Sequence, residues 1–314
     1  MPAADLALYP NHLPHLASRG PVPIREDFLY TGNKGEEKDG PRKRAENALD
    51  NLQDVLSKLL EPQEAVFYIA RAVAPLSSFE QLTLGWQAYH MYGTVLVFTN
   101  RRLLRFGVKG KGMRGWSWRR TLHAVRWGDI AEAKCKGILS KALRMKYRDG
   151  RKETYMRVSR ADAKKIKAVL GAFLPLAAAE ASPALGMVSL CPECVASLTP
   201  RVYQCQKCQL PFKNEKTLLW RTIFVPGGGY FYAGWSGFAF FFGFLELFFI
   251  YEIGFWLCVA LGLVPAPAPE PGHARLDAAA AAFVLAYFLI LFAIETTIVY
   301  LHMRRFVREF TPAN

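Results

Sequence analysis

The sequence lacks the short motifs that mark the common catalytic and nucleotide-binding sites. It has no Gly-x-Ser-x-Gly turn for a serine nucleophile, no HExxH zinc motif, no GxxxxGK[ST] phosphate loop and no dinucleotide-binding fingerprint. Its first 16 residues contain no basic segment followed by an apolar one, so we expect no signal peptide there. Its six histidines are scattered along the chain, which is typical of structural or surface residues. We therefore predict a binding or structural protein rather than an enzyme.

Two long apolar runs in the C-terminal third are the most informative feature that is present. The run at 278–301 fits one membrane crossing, for which about 18 apolar residues suffice. The run at 223–264 is 42 residues long. As a single helix it would extend about 63 Å, twice the ~30 Å hydrocarbon core. The sequence PGGGYFYAGWSG at 226–237 predicts a break, because Pro and Gly interrupt helices. We therefore expect a membrane hairpin.

Basic residues predict the orientation of this hairpin. Lysines and arginines flank the two spans on the side of the chain ends, whereas the connecting loop has only Arg275 and His273. Because positive charge stays cytoplasmic, we expect both termini in the cytoplasm at a bacterial inner membrane. The predicted segments are an interfacial or re-entrant stretch at 218–236, spans at 237–264 and 278–303, a non-cytoplasmic loop at 265–277 and a cytoplasmic tail at 304–314.

Positive charge is concentrated in one part of the chain. The whole chain carries a net charge of +14, and residues 61–176 alone hold 23 Lys/Arg against 8 Asp/Glu, a net charge of +15. A basic module beside a bilayer favours anionic lipid headgroups as its partner, with nucleic acid as the competing partner.

The basic segment at 61–176 has the pattern of a small β domain. The turn Asp149-Gly150 predicts a hairpin, and Ser159 is a plausible N-cap for a closing amphipathic helix. Together these features predict a partly open barrel that the helix plugs. Strand-like runs occur at 65–73, 93–100, 102–108, 116–125, 129–135, 142–148 and 152–158.

Three phrases in this segment resemble a known family. GTVLVFTNRRLLRF, VRWGDIAEAK and LRMKYRDGRKETYMRV, followed by a helix, are similar to the bacterial pleckstrin-homology-like domain, a relative of the lipid-surface GRAM module. The resemblance covers about residues 62–175. It implies a PH-like β-barrel with a C-terminal helix, in a family whose members bind lipid surfaces or proteins, or act as scaffolds.

Two segments precede this domain. Residues 1–40 are rich in Pro, Gly and charge, and we expect them to be disordered or extended. Residues 41–60 show an apolar stripe with the period of an amphipathic helix. We expect this helix to pack on the following domain, and the alternative is a helix for self-association or for a partner.

Four of the six cysteines form two Cys-x-x-Cys pairs, CPEC and CQKC, separated by ten residues. Two such turns can present four thiolates to one tetrahedral Zn²⁺ ion, and the segment at 189–214, after a linker at 177–188, resembles a zinc ribbon. A closed four-sulfur site has no open position for water, so we expect structural zinc, with disulfides or an iron–sulfur cluster as alternatives. The predicted ligands are Cys191, Cys194, Cys205 and Cys208.

The loop at 107–120, GVKGKGMRGWSWRR, is a candidate membrane-surface contact. It combines flexible glycines with basic side chains and with indole rings suited to the headgroup zone. The alternative is a solvated hairpin whose tryptophans lie in the domain core. The candidate residues are Lys109, Lys111, Arg114, Trp116, Trp118, Arg119 and Arg120.

Three acidic residues fall within the predicted spans, namely Glu246, Glu252 and Glu295. Such residues rarely face lipid in the ionised state, so we expect them at a packed, hydrated or oligomeric interface. Interhelical hydrogen bonding and a proton or ion pathway are the two interpretations. Residues 224–249 also resemble small two-span membrane hairpins that begin with a Gly-rich, aromatic phrase.

The sequence thus predicts a multidomain protein, composed of a PH-like β-barrel, a small zinc ribbon and an α-helical transmembrane hairpin. We expect a membrane-anchored adaptor or scaffold that binds anionic lipid and a protein partner or copies of itself. The alternatives are a subunit of an oligomeric channel or transporter that uses the glutamates, and a membrane-tethered nucleic-acid-binding protein.

Overall fold

The computed structural model describes residues 17–32, 36, 39–111, 115–137, 140–179, 183–267 and 278–313. The chain divides into two compact units, Met1–Leu210 and Pro211–Asn314. Of the predicted features, the first 16 residues, Arg114, and residues 268–277 of the predicted loop lie outside the described residues.

The first unit contains two antiparallel meanders. The four-stranded meander consists of β3 (Val66–Val73), β4 (Gly93–Thr99), β5 (Arg102–Lys111) and β6 (Gly115–Arg126). The three-stranded meander consists of β7 (Ile130–Lys136), β8 (Lys141–Tyr147) and β9 (Lys152–Val158). These elements confirm the seven predicted strands, with ends that differ by at most three residues.

The sheet formed by these strands is not closed, so the predicted barrel is not confirmed. Among the described residues, the pair Val73–Met156 alone joins the two meanders, and β7 pairs only with β8. Between β6 and β7 the chain makes a 3₁₀ turn, Trp127–Asp129, that buries Trp127. The Trp127 indole stacks on the rings of Phe98 and Phe173, with centroid distances of 6.3 Å and 6.0 Å respectively. The chain therefore turns into the core at this point instead of pairing β6 with β7.

The segment before the sheet is more ordered than the sequence predicts. Within the predicted disordered or extended stretch, the strands β1 (Ala17–Arg19) and β2 (Val22–Ile24) form a hairpin, and α1 (Glu26–Leu29) follows. Ile24 pairs with Val66, so β2 is attached to β3. Burial of the apolar side chains of β2 and α1 against the sheet explains this order.

Helices close the core of the first unit. α2 (Asp39–Leu59) buries its apolar stripe in the same core as the sheet, as the packed-helix interpretation predicts. α5 (Arg160–Phe173) begins at the predicted N-cap Ser159, whose hydroxyl accepts a hydrogen bond from the Asp162 N–H at 3.0 Å. Between β3 and β4 lie the short helices α3 (Ser78–Leu84) and α4 (Gln87–Met91).

A buried ion pair joins the start of β3 to β5. The side chain of Glu64 has no exposed surface, and Arg102 donates two hydrogen bonds to its carboxylate, at 2.9 and 2.7 Å. Arg102 also donates to the Leu59 carbonyl at 2.7 Å, and the Thr99 hydroxyl donates to Glu64 at 2.7 Å. Both carboxylate oxygens of Glu64 thus accept hydrogen bonds, which is the condition under which a buried carboxylate is tolerated.

The second unit is helical. It contains α6 (Glu215–Phe224), α7 (Gly228–Ala233), α8 (Ser236–Ala260) and α9 (Ala278–Arg308). α8 and α9 are long and apolar enough to cross a membrane. The predicted break in the first apolar run is confirmed, because the chain leaves helical geometry at Val225–Gly227 and again at Gly234–Trp235.

Three consecutive glycines allow α7 to pack closely on its neighbours. Gly227 has φ +67°, and a Cβ atom at this position would lie 2.1 Å from the Ala239 carbonyl oxygen of α8. A Cβ on Gly228 would lie 2.2 Å from the Arg221 carbonyl oxygen, and one on Gly229 would lie 2.8 Å from Val299 of α9. The phrase GGG is therefore explained by close backbone approach.

Replacing Gly227 by alanine should destabilise the second unit. The left-handed backbone alone costs about 1–3 kcal/mol for a non-glycine residue, and the overlap with the Ala239 carbonyl adds to it. The matched control is Gly237→Ala in the first turn of α8, where a Cβ atom meets nothing within 4 Å. Hydrogen exchange of the full chain in detergent should show faster exchange in α7 and α8 for Gly227→Ala only. Equal exchange in the two variants would contradict the close-packing explanation.

The two ends of the second unit are fastened together. Lys213 N–H donates to the Thr311 carbonyl at 3.0 Å, and Phe212 packs edge-on against Phe310 with ring centroids 5.5 Å apart. The carboxylate of Glu215 accepts hydrogen bonds from Arg304 at 2.7 Å and from Arg308 at 2.8 Å. These contacts connect the start of α6 to the end of α9.

Candidate metal centre

Each Cys-x-x-Cys sequence folds into the same tight turn. In the first turn the Cys191 N–H donates to the Ala196 carbonyl at 2.9 Å, and the Val195 N–H donates back to the Cys191 carbonyl at 3.0 Å. The second turn repeats this pattern at 2.9 and 3.0 Å, with Cys205 N–H donating to Leu210 and Gln209 N–H donating to Cys205. The two turns are thus equivalent in backbone structure, and each directs its pair of thiols to the same point.

A left-handed residue follows the second cysteine of each turn. Val195 has φ 60° and Gln209 has φ 61°, a conformation that is unfavourable for side chains with a Cβ and especially for a branched one. Such residues persist where the surrounding structure fixes them, and they are frequent at ligand sites. The same unfavourable conformation therefore recurs at the same position of both turns.

The four sulfur atoms lie together. All of them are within 4.8 Å of one another, and the pairs Cys191–Cys208 and Cys194–Cys205 have Sγ atoms 3.5 Å apart. A disulfide bond would require about 2.05 Å. A tetrahedral site with metal–sulfur bonds of about 2.3 Å has sulfur–sulfur edges of about 3.8 Å. The cluster can therefore hold one metal ion, and the cysteines are free thiols, which excludes the disulfide alternative in this structure.

The first thiols of the two turns, those of Cys191 and Cys205, differ in pKa. Burial raises the pKa of Cys191 to about 12, although backbone N–H groups of its own turn donate to its sulfur. At Cys205 burial is outweighed by the corresponding backbone N–H groups, and the pKa is lowered to about 7. Backbone donors of this kind favour the thiolate that a metal ion needs. A bound cation would supply the remaining stabilisation at the buried thiol.

The cysteine segment is attached to the edge of the four-stranded meander. The short strand β10 (Val188–Leu190) pairs with β6 in antiparallel register, with Ser189 opposite His123. The Ser189 hydroxyl and the His123 Nδ1 atom are 3.1 Å apart. An ion pair between Arg120 of β6 and Glu193 of the first turn adds a second connection. The cysteine segment is therefore continuous with the sheet through the pairing of β10 with β6, which the sequence did not predict.

The candidate membrane-surface residues are partly engaged within the first unit. Trp116 is buried, and Trp118 is half-buried against Phe106 and donates from its indole N–H to the Thr121 carbonyl at 3.0 Å. These positions favour the alternative in which the tryptophans pack in the domain. Arg120 is paired with Glu193, and Lys109 and Arg119 also make interactions. Arg114 and the side chain of Lys111 lie outside what the structure describes. Contact of this loop with lipid remains a prediction.

Two of the three candidate intramembrane acids come together. Glu246 of α8 and Glu295 of α9 are both buried, and their carboxyl groups interact with each other. Glu252 is separate and half-buried, and it accepts a hydrogen bond from the Trp256 indole at 3.0 Å. The sequence did not point to Tyr230, which lies beside the pair. The sequence feature that could have indicated Tyr230 is its position directly after the three glycines at 227–229.

Comparison with known proteins gives little additional information. No family model matches the chain, and no curated protein matches it. Among solved structures, the C-terminal domain of an unknown protein from Leishmania infantum is similar over 40% of this chain and 94% of that chain. The identity is 10% and the TM-score is 0.26. At these values the likeness supports no conclusion about fold or function.

Proposed function

We propose that this protein is a membrane-anchored adaptor. In this proposal α8 and α9 cross a bacterial inner membrane as a hairpin, with both termini in the cytoplasm. The first unit is then a binding module held at the membrane surface. The observation that carries the proposal is the exposure of large apolar side chains along both helices.

This exposure distinguishes α8 and α9 from the core helices of a water-soluble protein. In the most apolar 18-residue stretch of α8 only 22% is buried, and in that of α9 only 6% is buried. Phe241 and Phe244 on α8 are 68% and 73% exposed, and Phe283 on α9 is 76% exposed. Contiguous apolar surface of this kind marks an interaction site or a membrane contact. A hydrocarbon environment of about 30 Å matches helices of this length.

The PH-like assignment of the first unit is part of the proposal. A four-stranded meander, a three-stranded meander and the following helix α5 occur in the order that the resemblance implies. The excess positive charge of this part of the chain suits an anionic lipid surface. A protein partner or a second copy of the chain would bind the remaining surface. Nucleic acid remains the competing partner, since basic faces and zinc ribbons also bind it.

We also propose that the metal is Zn²⁺ and that its role is structural. Four thiolates match the preference of zinc, and a site closed by four protein ligands has no position for a reacting water molecule. An iron–sulfur cluster is the alternative, and its visible absorption would reveal it in the purified protein.

Membrane placement can be tested with the full chain in bacterial membranes. We expect the protein to resist extraction by alkaline carbonate and to require detergent for solubility. Protease added to inside-out vesicles should cleave the described linker at 183–187, whereas protease added to right-side-out spheroplasts should not. Material that is soluble and monodisperse without detergent would overturn the proposal, and cleavage from the outside only would reverse the orientation.

A further inference from the structure

The two buried glutamates of the second unit are incompletely satisfied. Glu246 is 2% exposed and Glu295 is 9% exposed. The Gly227 N–H donates to Oε2 of Glu246 at 2.8 Å. The other oxygen of Glu246 and both oxygens of Glu295 have no hydrogen-bond partner. Two carboxyl groups thus interact with each other while three of their four oxygens lack a donor.

A buried tyrosine lies near the two glutamates. Tyr230 of α7 has no exposed surface, and its ring stacks on Phe242 at 4.8 Å between centroids. Its hydroxyl group has no hydrogen-bond partner, and it lies close enough to interact electrostatically with both Glu246 and Glu295. The hydroxyl is therefore an available donor next to the carboxyl oxygens that lack one.

Within the described residues, no basic side chain neutralises the carboxyl pair. On α6, Glu215 is paired with arginines at the end of α9, and Arg221 lies over the Tyr232 ring. On α9, His302 is two turns beyond Glu295, about 10 Å along the helix axis. Among the described residues of α7, only Tyr230 interacts electrostatically with the two carboxyl groups. Among those of α8, only Glu246 interacts with Glu295. Two adjacent carboxylates cannot both remain ionised in such surroundings.

We propose that Glu246, Glu295 and Tyr230 form a proton-binding site in which one proton is held between the two carboxyl groups at neutral pH. Glu246 is the ionised member, because a backbone N–H already donates to it. Glu295 carries the proton and donates it to the free oxygen of Glu246, and the Tyr230 hydroxyl donates to the pair. The site is internal to the second unit, so it does not depend on the adaptor function.

A metal cation fits this cluster less well than a proton. The unpartnered oxygens of the two carboxyl groups and the Tyr230 hydroxyl give four oxygen atoms. Calcium and magnesium ions take about six or more oxygen ligands. A proton needs only one donor and one acceptor atom, and the interacting carboxyl groups supply both.

Infrared spectroscopy of the full chain in nanodiscs can detect this proton. At neutral pH the wild-type protein should show the carbonyl band of a protonated carboxyl group, and Glu295→Gln should lose it. Glu252→Gln is the matched control, because it removes another glutamate of α8 that is not part of the pair, and it should retain the band. In Glu246→Gln the carbonyl band of Glu295 should shift in frequency, because its hydrogen-bond acceptor changes from a carboxylate oxygen to an amide oxygen.

Two results would overturn the proposal. The first is a wild-type spectrum at neutral pH that lacks the carbonyl band of a protonated carboxyl group and is therefore identical to that of Glu295→Gln in this region. The second is a shift of the carboxylate bands and of the thermal midpoint on addition of Na⁺ or Ca²⁺ that Glu246→Gln abolishes, since the ligand would then be a metal cation. Neither result would bear on membrane placement, which the protease test decides separately.

Discussion

Replacing Cys205 by serine should abolish metal binding and release the cysteine segment from the sheet. Binding of zinc to a four-ligand site contributes about 10–16 kcal/mol in small zinc domains, and this energy is available to the fold only while all ligands are present. The segment from β10 to Leu210 is too short to form a stable core of its own. We therefore expect it to unfold, and β10 to separate from β6 because it is continuous with the first turn.

Two measurements on the full chain check this expectation. Elemental analysis should find one zinc ion per chain in the wild type, corresponding to the single four-cysteine cluster, and none in Cys205→Ser. Hydrogen exchange should become fast from β10 to Leu210 in the variant. Cys135→Ser provides the control, because Cys135 is a buried free thiol outside the cluster and should leave the zinc content unchanged. Retention of zinc in Cys205→Ser would contradict the assignment of this ligand.

The metal content should also depend on pH in a defined direction. All four thiols must lose their protons to bind zinc, and burial raises the pKa of Cys191 above its ordinary value. Protons therefore compete with the metal more strongly as the pH falls. A chelator should remove zinc from the wild type more readily at acidic pH than at neutral pH.

Replacing Arg102 by leucine should destabilise the first unit by about 3–5 kcal/mol, because it leaves the Glu64 carboxylate buried without a counter-charge. The neighbouring Arg101 is the matched control. Its ion pair with Glu61 is exposed, and such pairs contribute about 0–1 kcal/mol. Hydrogen exchange of the β4 and β5 amides in the full chain measures both free energies of unfolding.

The comparison of these two arginines distinguishes the effect of burying an unpaired carboxylate from the effect of losing one positive charge. Both substitutions remove one positive charge from adjacent positions in the sequence, so a general electrostatic effect would change both variants equally. A loss of less than about 1 kcal/mol in Arg102→Leu would contradict the expected cost of leaving the Glu64 carboxylate without its counter-charge. The double variant Arg102→Leu with Glu64→Leu should recover much of the stability, because it removes both charges.

Local patterns in the sequence were sufficient to predict much of the first unit. The strands follow from alternating apolar residues, and the turn at Asp149-Gly150 and the cap at Ser159 mark where two elements meet. The metal centre follows from spacing alone, because each Cys-x-x-Cys pair closes within a single turn. These features require no knowledge of distant contacts.

The features that were missed all depend on residues that are far apart in the sequence. Glu64 meets Arg102 across 38 residues, and nothing in the phrase TNRRLLRF indicates which of its arginines is buried. The pairing of β10 with β6 depends on three residues that are too few to give a periodic pattern. Likewise, the sequence marks Glu246 and Glu295 as acidic residues that are unfavourable in lipid, but only the packing of α8 on α9 identifies them as one site.

The fastening of Phe212 and Lys213 to Phe310 and Thr311 has a consequence for the order in which the second unit can assemble. Its outermost contacts join the first and last stretches of the unit, so they can form only after the whole of α9 has been synthesised. Until then α6 lacks the arginines that pair with Glu215. The helix that precedes α8 and α9 in the chain therefore gains its charged partners only after both of them have been made.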